Sequence, residues 1–152
     1  MIRRTLLAAA LAPLLAAAAP CDRPAVEHFT REGSRAPFSP AVRVGDMVYL
    51  SGMLGGRPDG TMPEGIEAQA RQTMENIHAV LAMAGLGFEH VVRCTVMLED
   101  MAHWPAFNRV YVDYFQPGRL PARSAFGADG LALGALVEVE CQAWSPPPEA
   151  GR

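Results

Sequence analysis

The sequence predicts an α+β domain in which two helices pack on one face of a β-sheet. Three observations predict it. Ile66, Ala70, Met74, Ile77, Leu81 and Ala84 recur at three- and four-residue steps and form one apolar helical stripe. The segments 91–98 and 136–144 are rich in β-branched and apolar residues and read as strands. Strands and helices follow in the order ββ-α-β-α-ββ, with too few alternations for a doubly wound sheet.

A short strand is expected near His28 to Arg31. Residues 42–44 and 47–51 read as two short strands around a Gly-Asp turn. Residues 54–63, with three glycines and two prolines, read as a loop. The helix over 66–84 ends at Gly85, a C-cap residue. Pro105 suits the first turn of a second helix running to about Phe115, with Pro117-Gly118 beyond it. Residues 123–126 read as short and extended, and 127–134 as a loop.

Alternate side chains of a strand share a face. Val92, Cys94, Val96 and Leu98 are expected on one apolar face, and Val91, Arg93, Thr95 and Met97 on a mixed one. In the last strand Val137, Val139, Cys141 and Ala143 oppose Glu138, Glu140 and Gln142. The helices cover the apolar side. The half-polar side has no third layer within one chain of 152 residues, which points to a symmetric oligomer.

The N-terminus reads as an export signal. Arg3 and Arg4 precede an apolar run, Leu6 to Ala19, too short for a comfortable membrane span. The expected organisation is a leader over 1–20, an arm over 21–35, the domain over 36–146 and a tail over 147–152. Lipid attachment at Cys21 is disfavoured by Pro20, and the mature chain is expected to be periplasmic or secreted, with no membrane span. Without residues 1–20 the chain keeps 11 basic against 16 acidic residues, and no basic cluster, which argues against nucleic acid as a partner. Cys94 and Cys141 are expected as buried free thiols in separate strands.

All 13 basic residues are arginine. The absence of lysine removes Schiff-base chemistry, covalent pyridoxal phosphate and the Walker phosphate loop. His28, His78, His90 and His103 show no metal-ligand spacing, and none of the five serines lies in Gly-x-Ser-x-Gly. What remains is Arg123, in Pro121-Ala122-Arg123-Ser124, with the glutamates of the last strand. An arginine fork binds a carboxylate through two parallel hydrogen bonds. A cross-strand ion pair with Glu138 or Glu140 is the competing reading.

Several segments together resemble the Rid/YjgF family. They are Ala68-Gln69-Ala70-Arg71-Gln72-Thr73-Met74-Glu75-Asn76-Ile77, Ala84-Gly85-Leu86, Pro121-Ala122-Arg123-Ser124 and Val137-Glu138-Val139-Glu140, with Ser51-Gly52 and Asn108. The resemblance spans roughly residues 36–144. It implies a chorismate-mutase-like mixed sheet, a homotrimer with sites between subunits, and enamine/imine deamination of a small carboxylate substrate without metal or cofactor. It places the family's arginine on Arg123, its glutamate on Glu140, its pocket serine on Ser51 and its asparagine on Asn108, with Arg123 and Glu140 as catalytic residues. Two positions depart. The frequent pocket tyrosine falls on Phe38 and the frequent cysteine on Ala125, so the substrate-binding pocket is less polar. The alternatives are a trimeric carboxylate-binding protein without turnover and a ribonuclease.

Overall fold

The computed structural model describes residues 25–145, and the expected leader, Cys21 and the tail beyond 146 lie outside them. Among these residues, seven strands form one mixed sheet and two α-helices cover it on one side. Val26–Phe29 (β1), Ala41–Val44 (β2) and Met47–Leu50 (β3) pair in antiparallel succession. β2 and β3 join through a two-residue turn whose first position, Gly45, sits at φ 57, the left-handed region that glycine enters freely. The first strand lies two residues earlier than the sequence implies.

The segment 53–63 departs from a plain loop. Met53–Leu54 (β4) pairs with the last strand, and side chains of the first helix pin the residues between β4 and that helix. The helix α1, Ile66–Met83, presents Asn76, whose Nδ2 donates to the Leu54 and Gly56 carbonyls at 2.8 Å each. Gln69 Nε2 donates to the Pro63 carbonyl at 3.0 Å, and its Oε1 accepts from the Leu136 N–H at 2.8 Å. The backbones approach so closely that a Cβ on Gly55 would lie 2.6 Å from the Gln69 carbonyl oxygen. Two amide side chains of the helix thus replace the hydrogen bonds that a regular strand would have made. At the C-terminus of α1, Gly85 takes φ 72 and the Leu86 N–H returns to the Leu81 carbonyl at 3.0 Å.

Val91–Leu98 (β5), Trp104–Tyr111 (α2) and Ala122–Gly127 (β6) form a strand–helix–strand crossover, so β5 and β6 are parallel. Pro105 stands in the first turn of α2, and a tight turn over 112–114 carries the chain on to Phe115. Val137–Trp144 (β7) inserts between β3 and β5, giving the order β1-β2-β3-β7-β5-β6. The core lies between this sheet and the two helices. Met74, Ile77, Val80 and Leu81 of α1 and Phe107 and Val110 of α2 pack against Val48, Val96, Leu98, Val137 and Val139.

Two expectations need correction. A β-bulge between Val91 and Arg93 adds a residue to β5. Val91 therefore points into the core and Val92 is 44% exposed, so the apolar face is Val91, Cys94, Val96 and Leu98. The face assignment in β7 stands, with Val137, Val139, Cys141 and Ala143 buried. Cys94 and Cys141 are not free thiols. They stand directly opposite each other on β5 and β7, 4.1 Å apart at Cα, and are joined by a disulfide. Each strand alone shows only a buried cysteine; their register makes them a pair.

Candidate functional site

Arg123 lies on β6, the edge strand, in register with Cys94 of β5. In-register neighbours share a face, so Arg123 points toward the helix layer, as Cys94 does. There α2 supplies an aromatic cradle. The guanidinium carbon lies 4.6 Å from the Tyr111 ring centroid, 5.0 Å from Trp104 and 6.0 Å from Phe107. Positions 104, 107 and 111 fall on one side of a helix, which is why three rings reach one cation. Such contacts hold the guanidinium plane without using its N–H groups. Among the described residues, no hydrogen bond or ion pair engages the Arg123 side chain. The fork is oriented and chemically unspent.

The helix that cradles it carries polar atoms with no partner among the described residues. Tyr111 is 2% exposed, and its hydroxyl is buried without a hydrogen bond. Burial pushes its pKa up to about 12, against the pull of the Arg123 charge. Asn108 Oδ1, on the same helix, is also buried and unpaired. Ala125 is in register with Val96, so it shares the Arg123 face.

The glutamates lie on the opposite face. Glu140 is in register with Thr95, which is in register with Ser124. Arg93 Nη2 donates to Ser124 Oγ at 3.2 Å, marking this as the side away from the helices. Arg123 and Glu140 therefore do not meet within one chain, and the cross-strand ion pair is absent. Glu140 is exposed, in a small groove with Tyr49, Arg93, Thr95 and Gln142.

Glu138 is half-buried, two residues earlier on the same face, and its carboxylate rests on Gly52. A Cβ at position 52 would fall onto Glu138 Oε1. A side chain at this position would displace the carboxylate. Ser51 has a structural task in this chain. Its Oγ donates to the Ser39 carbonyl at 2.8 Å and its N–H to the Pro40 carbonyl at 2.9 Å. These bonds fix the segment carrying Phe38, which is 56% exposed over a groove that Gly52 also lines.

The structure thus sets Arg123 and Ala125 on one face of β6, beside the helix that also carries Asn108, and Phe38 and Ser51 beside Gly52 and Glu138. Glu140 belongs to neither group. Sequence reasoning missed Trp104 and Tyr111, whose helical spacing reads equally well as core, and it missed the Gly52–Glu138 contact. Among the described residues, no group of three or more His, Cys, Asp or Glu side chains could hold a metal ion.

Comparison with known proteins agrees with this architecture. Residues 30–145 match the family model described as Endoribonuclease L-PSP. A mouse protein named 2-iminobutanoate/2-iminopropanoate deaminase is 39% identical over 113 residues, covering 73% of this chain and 83% of the relative. The crystal structure of RidA from the Antarctic bacterium Psychrobacter sp. superposes with a TM-score of 0.69 at 37% identity, covering 73% of this chain and 90% of that one. E. coli TdcF with bound serine gives a TM-score of 0.69 at 30% identity, covering 74% and 91%. The chain belongs to the Endoribonuclease L-PSP family, the Rid/YjgF family that its motifs resemble.

Proposed function

We propose that this chain hydrolyses reactive 2-imino acids, and their enamine tautomers, to 2-keto acids and ammonia. The observation that carries the reading is the unspent fork of Arg123, cradled by the Tyr111 and Trp104 rings. It fits the carboxylate of a small substrate and fixes the C=N carbon relative to water, a positioning effect. The mouse relative is named for 2-imino acid deamination, and the TdcF structure holds serine, also a carboxylate.

The chemistry needs little more. Water adds to the C=N carbon and gives up a proton to a carboxylate, while the imine nitrogen takes one. The carbinolamine hydroxyl proton passes to the amine nitrogen, the C–N bond breaks, and ammonia leaves the 2-keto acid behind. Imine plus water balances keto acid plus ammonia, with no nucleophilic side chain and no redox step. We assign the proton relay to Glu138 rather than Glu140. Glu138 is the carboxylate half-buried against Gly52, beside the Phe38 groove, whereas Glu140 is exposed.

Arg123 and Glu138 lie on opposite sides of one sheet, so the site needs a second copy. An edge bearing Arg123 set against a neighbour's Glu138 face is a contact between two different patches. Contacts of that kind close into rings. The homotrimer implied by the family resemblance is such a ring. The open face carries the apolar surface an interface needs, with Tyr49, Val92, Phe126 and Trp144 all 44–49% exposed. The same proposal places the mature chain outside the cytoplasm. Its supports are the leader-like residues 1–20 and the Cys94–Cys141 disulfide, which persists in oxidising compartments. Ribonuclease activity lacks support from charge, since acidic residues outnumber basic ones 16 to 13.

The test is direct. An amino-acid oxidase generates an imino acid, and its decay is followed with wild type and with Arg123→Ala. Faster decay with wild type alone supports the reading. Equal decay with the two proteins overturns it, and calorimetric binding of a carboxylate without turnover would favour a binding protein.

A further inference from the structure

We infer that the preferred substrates are 2-imino acids with long apolar side chains, such as those of methionine, leucine or phenylalanine, and that a methionine-rich groove beside Gly52 receives that chain. The inference rests on the deaminase reading and adds its substrate class.

The groove has a volume of about 1040 Å³ and runs between the arm over 31–40, the loop over 53–62 and α1. Pockets that hold drug-sized ligands span roughly 300–1,000 Å³, so a three-carbon imino acid would leave this one almost empty. Its apolar lining includes Phe38, Met53, Leu54, Met62, Met83 and Leu133. Three of these are methionines, whose unbranched thioethers repack around ligands of different shape. Gly52 joins the groove to the reacting centre, since it lines the groove and carries the Glu138 carboxylate against its Cα. A substrate whose C2 lies near Glu138 can therefore direct its side chain into apolar surroundings.

Leu133 supports the same assignment. It is 85% exposed and stands at φ 59, the sole described non-glycine residue in the left-handed region. A strained backbone presenting a bare leucine is not explained by the core of this chain. At the groove rim it can fold over an apolar side chain. Phe38, 56% exposed without a hydroxyl, offers the same kind of contact.

The experiment compares kcat/KM for imines generated in place by an amino-acid oxidase from alanine, 2-aminobutyrate, leucine, methionine and phenylalanine. Two variants accompany the wild type. Ala79→Trp puts an indole into the groove from an exposed position of α1. Leu133→Ala trims the rim at an exposed site. The expected result is at least a tenfold wild-type preference for the long apolar imines over the alanine imine. Ala79→Trp should then lower the long-chain values about tenfold and leave the alanine imine within twofold, and Leu133→Ala should act in the same direction. A preference for short imines, or equal effects of the variants on every imine, overturns the groove assignment while the deaminase reading stands. Loss of oligomeric mass together with all activity in Ala79→Trp also overturns it, because the groove would then be an interface between copies. Turnover of no imine at all removes the deaminase reading and this inference with it.

Discussion

Arg123 and Glu138 stand two strands apart on opposite faces of one sheet, Arg123 over the α2 rings and Glu138 against Gly52. Neither has an ion-pair partner among the described residues. A single chain therefore cannot bring the two side chains together. That separation, and the disulfide behind it, have measurable consequences.

Arg123→Lys keeps the charge and loses the planar fork. A hydrogen bond to a charged group contributes about 1.5–3 kcal/mol, so the variant should lose roughly ten- to a hundredfold in kcat/KM, with a marked rise in KM. Steady-state kinetics on an oxidase-generated imine measures this. A variant with wild-type kinetics would show that bidentate recognition is not used.

Glu138→Gln and Glu140→Gln should differ. Removing a positioned general base lowers rates by roughly 10²–10⁴. The drop is expected in kcat for Glu138→Gln, with Glu140→Gln close to wild type. The reverse pattern would return the role to Glu140, where the family resemblance first placed it.

The disulfide joins residues 47 apart in sequence, across the paired strands β5 and β7. Cross-links of such loops contribute about 2–4 kcal/mol, largely by restricting the unfolded chain. Cys94→Ala with Cys141→Ala should lower the denaturation midpoint accordingly. Reductant added during unfolding should do the same to the wild type and nothing to the double variant. Identical midpoints for wild type and double variant would mean the cross-link contributes nothing.

Tyr111 makes a pH prediction. Its pKa is about 12 in the fold against 10 as the ordinary value. The folded state thus favours the protonated phenol. Its contribution is fully present below pH 10 and is lost as pH rises toward 12, because the unfolded chain ionises first. Denaturation midpoints measured from pH 9 to 11.5 should fall more steeply for wild type than for Tyr111→Phe. Parallel curves would contradict the burial of that hydroxyl.

Much of the fold was legible in the sequence because it rests on periodicity. The stripe from Ile66 to Ala84 marked α1, Gly85 its end, and the alternation in Val137 to Ala143 the buried face of β7. What was not legible depends on relations between segments. Nothing local to Val92 marks a bulge, yet the bulge reverses which of Val91 and Val92 is buried. Cys94 and Cys141 each look like a core thiol until the register of β5 and β7 sets them opposite. The face of Arg123 depends on parallel pairing with β5, so an ion pair with Glu140 looked reasonable along the sequence and is absent in space. The choice of Glu138 over Glu140 turns on Gly52, nearly ninety residues earlier in the chain.

The central claim is that one protomer's Arg123 works with another protomer's Glu138. Complementation tests it most directly. Arg123→Ala and Glu138→Gln chains, each inactive alone, are unfolded, mixed in equal amounts and refolded together, and imine decay is followed. If sites form between neighbours in a ring, about a quarter of them pair an intact arginine with an intact glutamate, and about a quarter of wild-type activity should return. Activity no higher than that of either variant alone would contradict a site shared between protomers.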